Sequence, residues 1–161
     1  MKVVFLDIDG VLNEEKSRSR CCGYKGIDDK KVENLAKIVE ETNAKIVLIS
    51  TWKDDWRKTY KAHQGMMANY LDKKLKKQGL AVFDKTENVD KASGFHLSRG
   101  EGILQYFATH AVEKYVILDD YQFDYDGCGL TENYVKTDNE NGGLTEELSQ
   151  KTIEILNGVK R

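Results

Sequence analysis

The sequence contains no proline. Cis-proline turns are therefore excluded, and the chain must be punctuated by glycines and polar clusters. Cysteine is scarce: Cys21 and Cys22 are adjacent, and Cys128 stands alone. An odd number in that spacing does not build a disulfide framework and points to a reducing, cytoplasmic setting. Long apolar runs are missing too. No stretch approaches the ~20 residues of a membrane-spanning helix, so no membrane partner is expected. The apolar run in MKVVFLDIDG meets aspartates too early to be a signal-peptide core. Neither sign of charge dominates: 25 Lys and Arg against 27 Asp and Glu leave −2. Bulk attraction to nucleic acid or to an acidic membrane surface is thus not indicated. There is no internal repeat, low-complexity segment or linker, and nothing marks an obligate protein partner. With 161 residues, one domain spanning 1–161 is expected.

What is present is an alternation of short apolar runs with helical periods. Lys2–Leu6, Lys45–Ile49 and Tyr115–Leu118 read as strands buried on both faces. Leu80–Phe83 and Tyr134–Lys136 read as weaker or shorter ones. Helical spacing of Val32, Leu35, Ala36, Ile38 and Val39 predicts a helix over Asp29–Glu41. Trp52, Trp56 and Tyr60, then Met67, Leu71 and Leu75, predict one or two more. Ser98 and Glu101 form a capping-box pattern that opens a helix with a stripe of Ile103, Leu104, Phe107, Ala108 and Ala111. Thr145 caps a last helix with Leu148, Ile155, Leu156 and Val159 on its apolar side. The polar stretch 13–28 reads as a loop or small flap. Strands alternating with helices define an α/β fold, a mostly parallel sheet of about five strands with helices on both faces.

Ligands of such sheets bind beyond the carboxyl ends of the strands. There the sequence places Asp7, Asp9 and Gly10 after the first strand, Ser50 and Thr51 after the second, and Asp119 and Asp120 after Tyr115–Leu118. One such aspartate is ordinarily a turn or cap residue, and Ser50 with Thr51 alone make a helix N-cap. Two buried strands ending on acid pairs at one edge are different, because unpaired carboxylates repel. A divalent cation resolves that conflict, and a few hard oxygen ligands suit Mg²⁺. DIDG is not a calcium loop, since its glycine falls at the wrong position.

FLDIDGV (Phe5–Val11), KIVLIS (ending at Ser50) and VILDD (Val116–Asp120) resemble the first, second and fourth motifs of the haloacid dehalogenase (HAD) superfamily. ISTWK (Ile49–Lys53), SRGEGILQYF (Ser98–Phe107) and GGLTEE (Gly142–Glu147) resemble a nearly capless branch that includes domains of RNA-repair proteins. The resemblance implies a Rossmann-like HAD fold with a minimal cap and a phosphohydrolase. Asp7 would be the nucleophile, forming an aspartyl-phosphate. Asp9 would be the general acid and base. Ser50 would hydrogen-bond the phosphoryl group, and Thr51 and Lys53 would contact substrate. Asp119, with Asp120 assisting, would hold Mg²⁺ together with Asp7 and the Asp9 main-chain carbonyl. Arg99 would be the basic residue of the third motif, with Lys91 the alternative.

The short segment between Ser50 and Arg99 leaves the site open to bulky phosphomonoesters, such as a nucleic-acid end or a protein. A nucleotide or small metabolite is the alternative substrate. A non-catalytic Mg²⁺- or phosphate-binding domain and a sugar phosphomutase are competing functions. Trp52 and Trp56 pack in the core or stack on bases. Lys73, Lys74, Lys76 and Lys77 are a solvated helix face or a backbone-tracking patch. Asp124 is a turn residue or a partner that orients the metal aspartates. His63, His96 and His110 share no ligand spacing.

Overall fold

The computed structural model describes residues 1–159. β1 (Lys2–Leu6) is the central strand, pairing in parallel with β4 (Lys45–Leu48) on one side and β6 (Lys114–Asp119) on the other. β5 (Val82–Lys85) and β7 (Tyr134–Lys136) close the two edges, giving the order β5-β4-β1-β6-β7. The chain therefore steps from β1 outward to β5, then returns past β1 to β6. That reversal makes a topological switch point between β1 and β6, where such sheets bind ligands.

Side chains alternate across the sheet because successive Cβ atoms point to opposite faces. Val4, Leu6, Ile46, Leu48, Val116 and Leu118 face one core. It is covered by α1 (Asp29–Thr42), α2 (Met66–Lys76) and α4 (Glu146–Asn157). Val3, Phe5, Val47, Ile49 and Ile117 face the other core, covered by α3 (Arg99–Thr109) and by Tyr125 and Leu130 of the β6–β7 crossover. Both faces being covered explains the continuous apolar runs of the three central strands.

The sheet is the predicted one, with local corrections. The edge strand β5 lies two residues later than Leu80–Phe83. Leu80 is instead buried beside the end of α2. The Trp52–Tyr60 segment forms no α-helix. It holds a 3₁₀ turn at Thr51–Asp54, and a second 3₁₀ turn follows at Lys61–His63. In α3, Tyr106 is buried and Leu104 is not; in α4, Ile153 is buried, while Val159 lies beyond the helix end and is exposed. The 13–28 stretch carries a two-stranded ribbon, β2 (Arg20–Cys21) and β3 (Tyr24–Lys25). Among the described residues, no helix is long and apolar enough to cross a membrane.

Phe5 has no exposed surface and packs edge-on to Tyr106 and Phe107, with ring centroids 5.6 and 5.7 Å away. Phe5→Ala is expected to lower the unfolding free energy by ~3–5 kcal/mol. Phe83→Ala on the partly exposed edge strand should change it by less than ~1 kcal/mol. Urea titration followed by circular dichroism checks both.

Candidate active site and metal centre

The strand register assembles the site. Leu6 is paired with both Leu48 and Leu118. Asp7 therefore emerges level with Ile49 and Asp119, and the amide of Asp7 donates to Leu118 O at 2.9 Å. Asp119 has no exposed surface, Asp7 is buried and Asp120 is partly exposed. Asp7, Asp119 and Asp120 each offer an oxygen within 4.8 Å of the others. This carboxylate cluster is able to hold a divalent metal.

Gly10 makes the approach of Asp120 possible. Its φ is +80°, and a Cβ there would lie 2.3 Å from an Asp120 carboxylate oxygen. Its amide donates to Asn13 Oδ1, and its carbonyl accepts from the Thr137 hydroxyl at 2.8 Å. The turn after β1 is thereby tied to the end of β7.

The charges are in tension. Burial, and after it the neighbouring Asp119, push the Asp7 carboxyl up to about 7 against the opposing pull of Arg99. Burial and Asp119 raise Asp120 as well. Arg99 is the nearby counter-charge. Its Nη1 lies 2.7 Å from Asp119 Oδ2 and 3.2 Å from Asp7 Oδ1. Its guanidinium stacks 4.0 Å from the centre of the Phe123 ring. Tyr125 donates its hydroxyl to the same Asp119 oxygen at 2.5 Å, and the Tyr121 amide donates to the other at 3.1 Å. The Asp119 carboxylate is thus largely occupied by protein donors, and Asp120 is the more accessible of the pair.

Arg99 is held at the carboxyl edge by the start of α3. The predicted capping box is present: Ser98 Oγ accepts from the Glu101 amide, and Glu101 accepts from the Ser98 amide. Asp124, from the loop after β6, accepts from the Ser98 hydroxyl and from the Gly100 amide. It fastens the helix start rather than the Asp119–Asp120 pair. Lys91 lies elsewhere. Its side chain is largely exposed and pairs with Glu87 at 2.9 Å.

Asp9 stands apart from the acid cluster, exposed, with its carboxylate aimed by two donors. Asn13 Nδ2 lies 2.9 Å from one oxygen and Trp52 Nε1 3.0 Å from the other. Trp52 and Trp56 are 3% and 2% exposed, so the core reading is right and neither offers a face for base stacking. Ser50 is buried and caps the 3₁₀ turn by accepting from the Trp52 amide. Thr51 is exposed at the cleft mouth. Lys53 is not a solvated lysine: it is buried, and its Nζ donates to Thr86 Oγ1 at 2.8 Å. Desolvation lowers its pKa to about 8, with Arg99 adding to the effect. Lys53, Thr51, Arg99, Tyr121 and Phe123 share the wall of an open cleft of about 520 Å³. Of the lysine cluster, Lys74 pairs with Asp29 while Lys73, Lys76 and Lys77 are exposed.

Asn13, Thr137 and Tyr125 are positioning residues that strand and motif reading did not find, whereas Asp124 was singled out but for a different role. Asn13 lies three residues past the DIDG glycine, which is its only local signal. Thr137 and Tyr125 reach the site from the end of β7 and the crossover, through contacts that sequence spacing does not show.

A switch-point acid cluster of this kind, on a five-stranded parallel sheet with no large lid among the described residues, fits a hydrolase of the HAD type. The chain matches the family described as the HAD domain in Swiss Army Knife RNA repair proteins over residues 3–148, and it belongs to that family. No curated protein and no solved structure matches it.

Gly10→Ala should both strain the backbone and displace Asp120. Strain of this kind costs ~1–3 kcal/mol. The expected outcome is a lower melting temperature together with weaker divalent-cation affinity, read by calorimetry on the folded variant.

Proposed function

We propose that the chain is a Mg²⁺-dependent phosphomonoesterase acting on phosphorylated nucleic-acid ends through an aspartyl-phosphate on Asp7. The observation that carries this reading is Asp7 itself, held at the switch point between a second acid pair and a guanidinium 3.2 Å away. The family's association with RNA repair and the open cleft favour a bulky nucleic-acid end over a small metabolite.

The donor set fits Mg²⁺. All the ligand atoms are hard oxygens, and behind burial the charge of Asp119 raises both Asp7 and Asp120, a repulsion that a cation would relieve. Asp7 and Asp120 would hold the ion, with the Asp9 main-chain carbonyl, and Asp119 would complete the shell. Bound there, it neutralises charge on the transferred phosphoryl oxygens and keeps Asp7 ionised.

The chain's own residues do the rest. A carboxylate oxygen of Asp7 attacks phosphorus as the bond to the ester oxygen breaks. Asp9 gives its proton to that leaving oxygen, then takes one from the water that attacks the aspartyl-phosphate. Asn13 and Trp52 fix its direction throughout. Arg99 and the Ser50 hydroxyl stabilise the phosphoryl oxygens, and Lys53 and Thr51 contact the substrate phosphate from the same cleft.

The acid pair is tested by substitution with Mg²⁺ and EDTA controls. Asp7→Asn and EDTA should each abolish turnover of a phosphorylated oligonucleotide. Asp9→Asn should slow it by ~10²–10⁴-fold. Turnover that persists in EDTA, or near-normal turnover by Asp9→Asn on an ester with a poor leaving group, rejects the assignment.

Arg99→Ala should lower kcat strongly and Lys91→Ala should leave it little changed, with folding confirmed by circular dichroism. The reverse result transfers the cationic role to Lys91.

The Lys53 ammonium provides a pH signature. Burial lowers its pKa, so charge is present below about 8 and lost above it. The value of kcat/KM, which reports free-enzyme groups, should fall as pH rises through that region. Lys53→Met should remove this alkaline limb while lowering kcat/KM below it.

A further inference from the structure

Cleaving a phosphate ester requires room for two parts, the phosphoryl group and the alcohol that leaves. Two clefts meet at Thr51. The first contains the cations Lys53 and Arg99. The second, about 360 Å³, is lined by Asp9, Tyr24, Lys25, Thr51, Trp52 and Met67. Asp9 belongs to the second cleft. A group that protonates the leaving oxygen must lie within hydrogen-bond reach of it. The leaving alcohol therefore sits on the Asp9 side, away from the cations.

The walls of that second cleft define what the alcohol carries. Trp52 forms a floor, immobilised by its own bond to Asp9. Met67, at the start of α2, is partly buried against the core. Tyr24 stands on the β2–β3 ribbon just after a tight turn in which Cys22 and Gly23 have φ of +53° and +84°. Its side chain is placed in the open, 71% exposed, where core packing gives no reason for an aromatic ring. The exposed Tyr24 ring and Met67, with the buried Trp52 also lining the cleft, make an apolar slot for a flat group. Bare sugars have no flat face to offer it, whereas every nucleobase does. Lys25 stands next to the tyrosine and is the cation of this cleft; its nearest partner is Asn139, at a long 3.4 Å. It suits a neighbouring phosphodiester.

We infer that this cleft receives the leaving nucleoside, its base held between Tyr24 and Met67, with Lys25 on the adjoining phosphodiester of a nucleic-acid chain. The inference rests on the phosphomonoesterase reading for the direction of cleavage. Its specificity claim is separate, because it concerns binding.

The test uses the full chain carrying Asp7→Asn, which binds without turning over, in the presence of Mg²⁺. Calorimetric titration compares adenosine 5′-monophosphate with ribose 5-phosphate, which share a phosphoryl group and differ in the base. The nucleotide should bind at least ~5-fold more tightly, from stacking on the slot. Tyr24→Ala should remove most of that preference and Tyr24→Phe should retain it. Lys25→Ala should reduce the preference for a phosphorylated trinucleotide over the mononucleotide. Equal binding of nucleotide and sugar phosphate overturns the inference, as does a Tyr24→Ala variant that weakens both alike. Tighter binding of a phosphotyrosine peptide than of the nucleotide also overturns it and assigns the cleft to protein. If the binding pattern appears but the unsubstituted chain turns over no phosphomonoester, the phosphatase reading fails and the base slot stands. If esters are turned over but binding ignores the base, the slot alone fails.

Discussion

One guanidinium holds this site together. Arg99 meets Asp7 and Asp119 at once, in a place where three carboxylates converge. Removing the partner of a buried charge typically costs ~3–5 kcal/mol. Much of the surrounding architecture serves to keep that guanidinium where it is. The capping box sets the start of α3, Asp124 ties this start to the crossover, and Phe123 lies against the guanidinium. Tyr125 then fills the remaining reach of the same Asp119 oxygen. Arg99 offsets only part of the effect of burial and of the Asp119 charge, which together leave Asp7 raised to about 7. That residual deficit of positive charge is the physical case for a divalent cation.

The two aspartates of the DIDG turn have different surroundings. Asp7 is buried among like charges, while Asp9 is exposed and receives two neutral donors. The proposed nucleophile and the proposed proton carrier, separated by a single residue, thus lie in separate environments. Gly10 makes it geometrically possible. The positive φ turns the chain sharply after Asp9, and the absence of a side chain lets Asp120 close from β6.

Much of this was legible in the sequence, for a physical reason. β1, β4 and β6 are buried on both faces, so their apolar runs are continuous and end abruptly on the chemistry. The paired register then guarantees that residues following each strand meet. Legibility failed where burial is partial or where geometry is set from afar. β5 is an edge strand with Asp84 and Lys85 in it, and its apolar signal slid toward Leu80. Trp52 and Trp56 have helical spacing because both rings reach the same core, yet the backbone between them is a 3₁₀ turn. Tyr24 carried no signal at all, since only the folded ribbon brings it beside Asp9. Arg99 was legible through its cap, and its contact with Asp7 requires the long loop before α3 to return to the carboxyl edge.

The central claim is that Asp7 accepts the phosphoryl group. Rapid acid quenching during turnover of a phosphorylated oligonucleotide with Mg²⁺, followed by peptide mass spectrometry, tests it most directly. The account predicts phosphate on the peptide containing Asp7, localised to that aspartate and absent from the Asp7→Asn variant. Phosphate localised to Asp9 or to another residue would contradict it, and so would turnover by the Asp7→Asn variant at the unsubstituted rate.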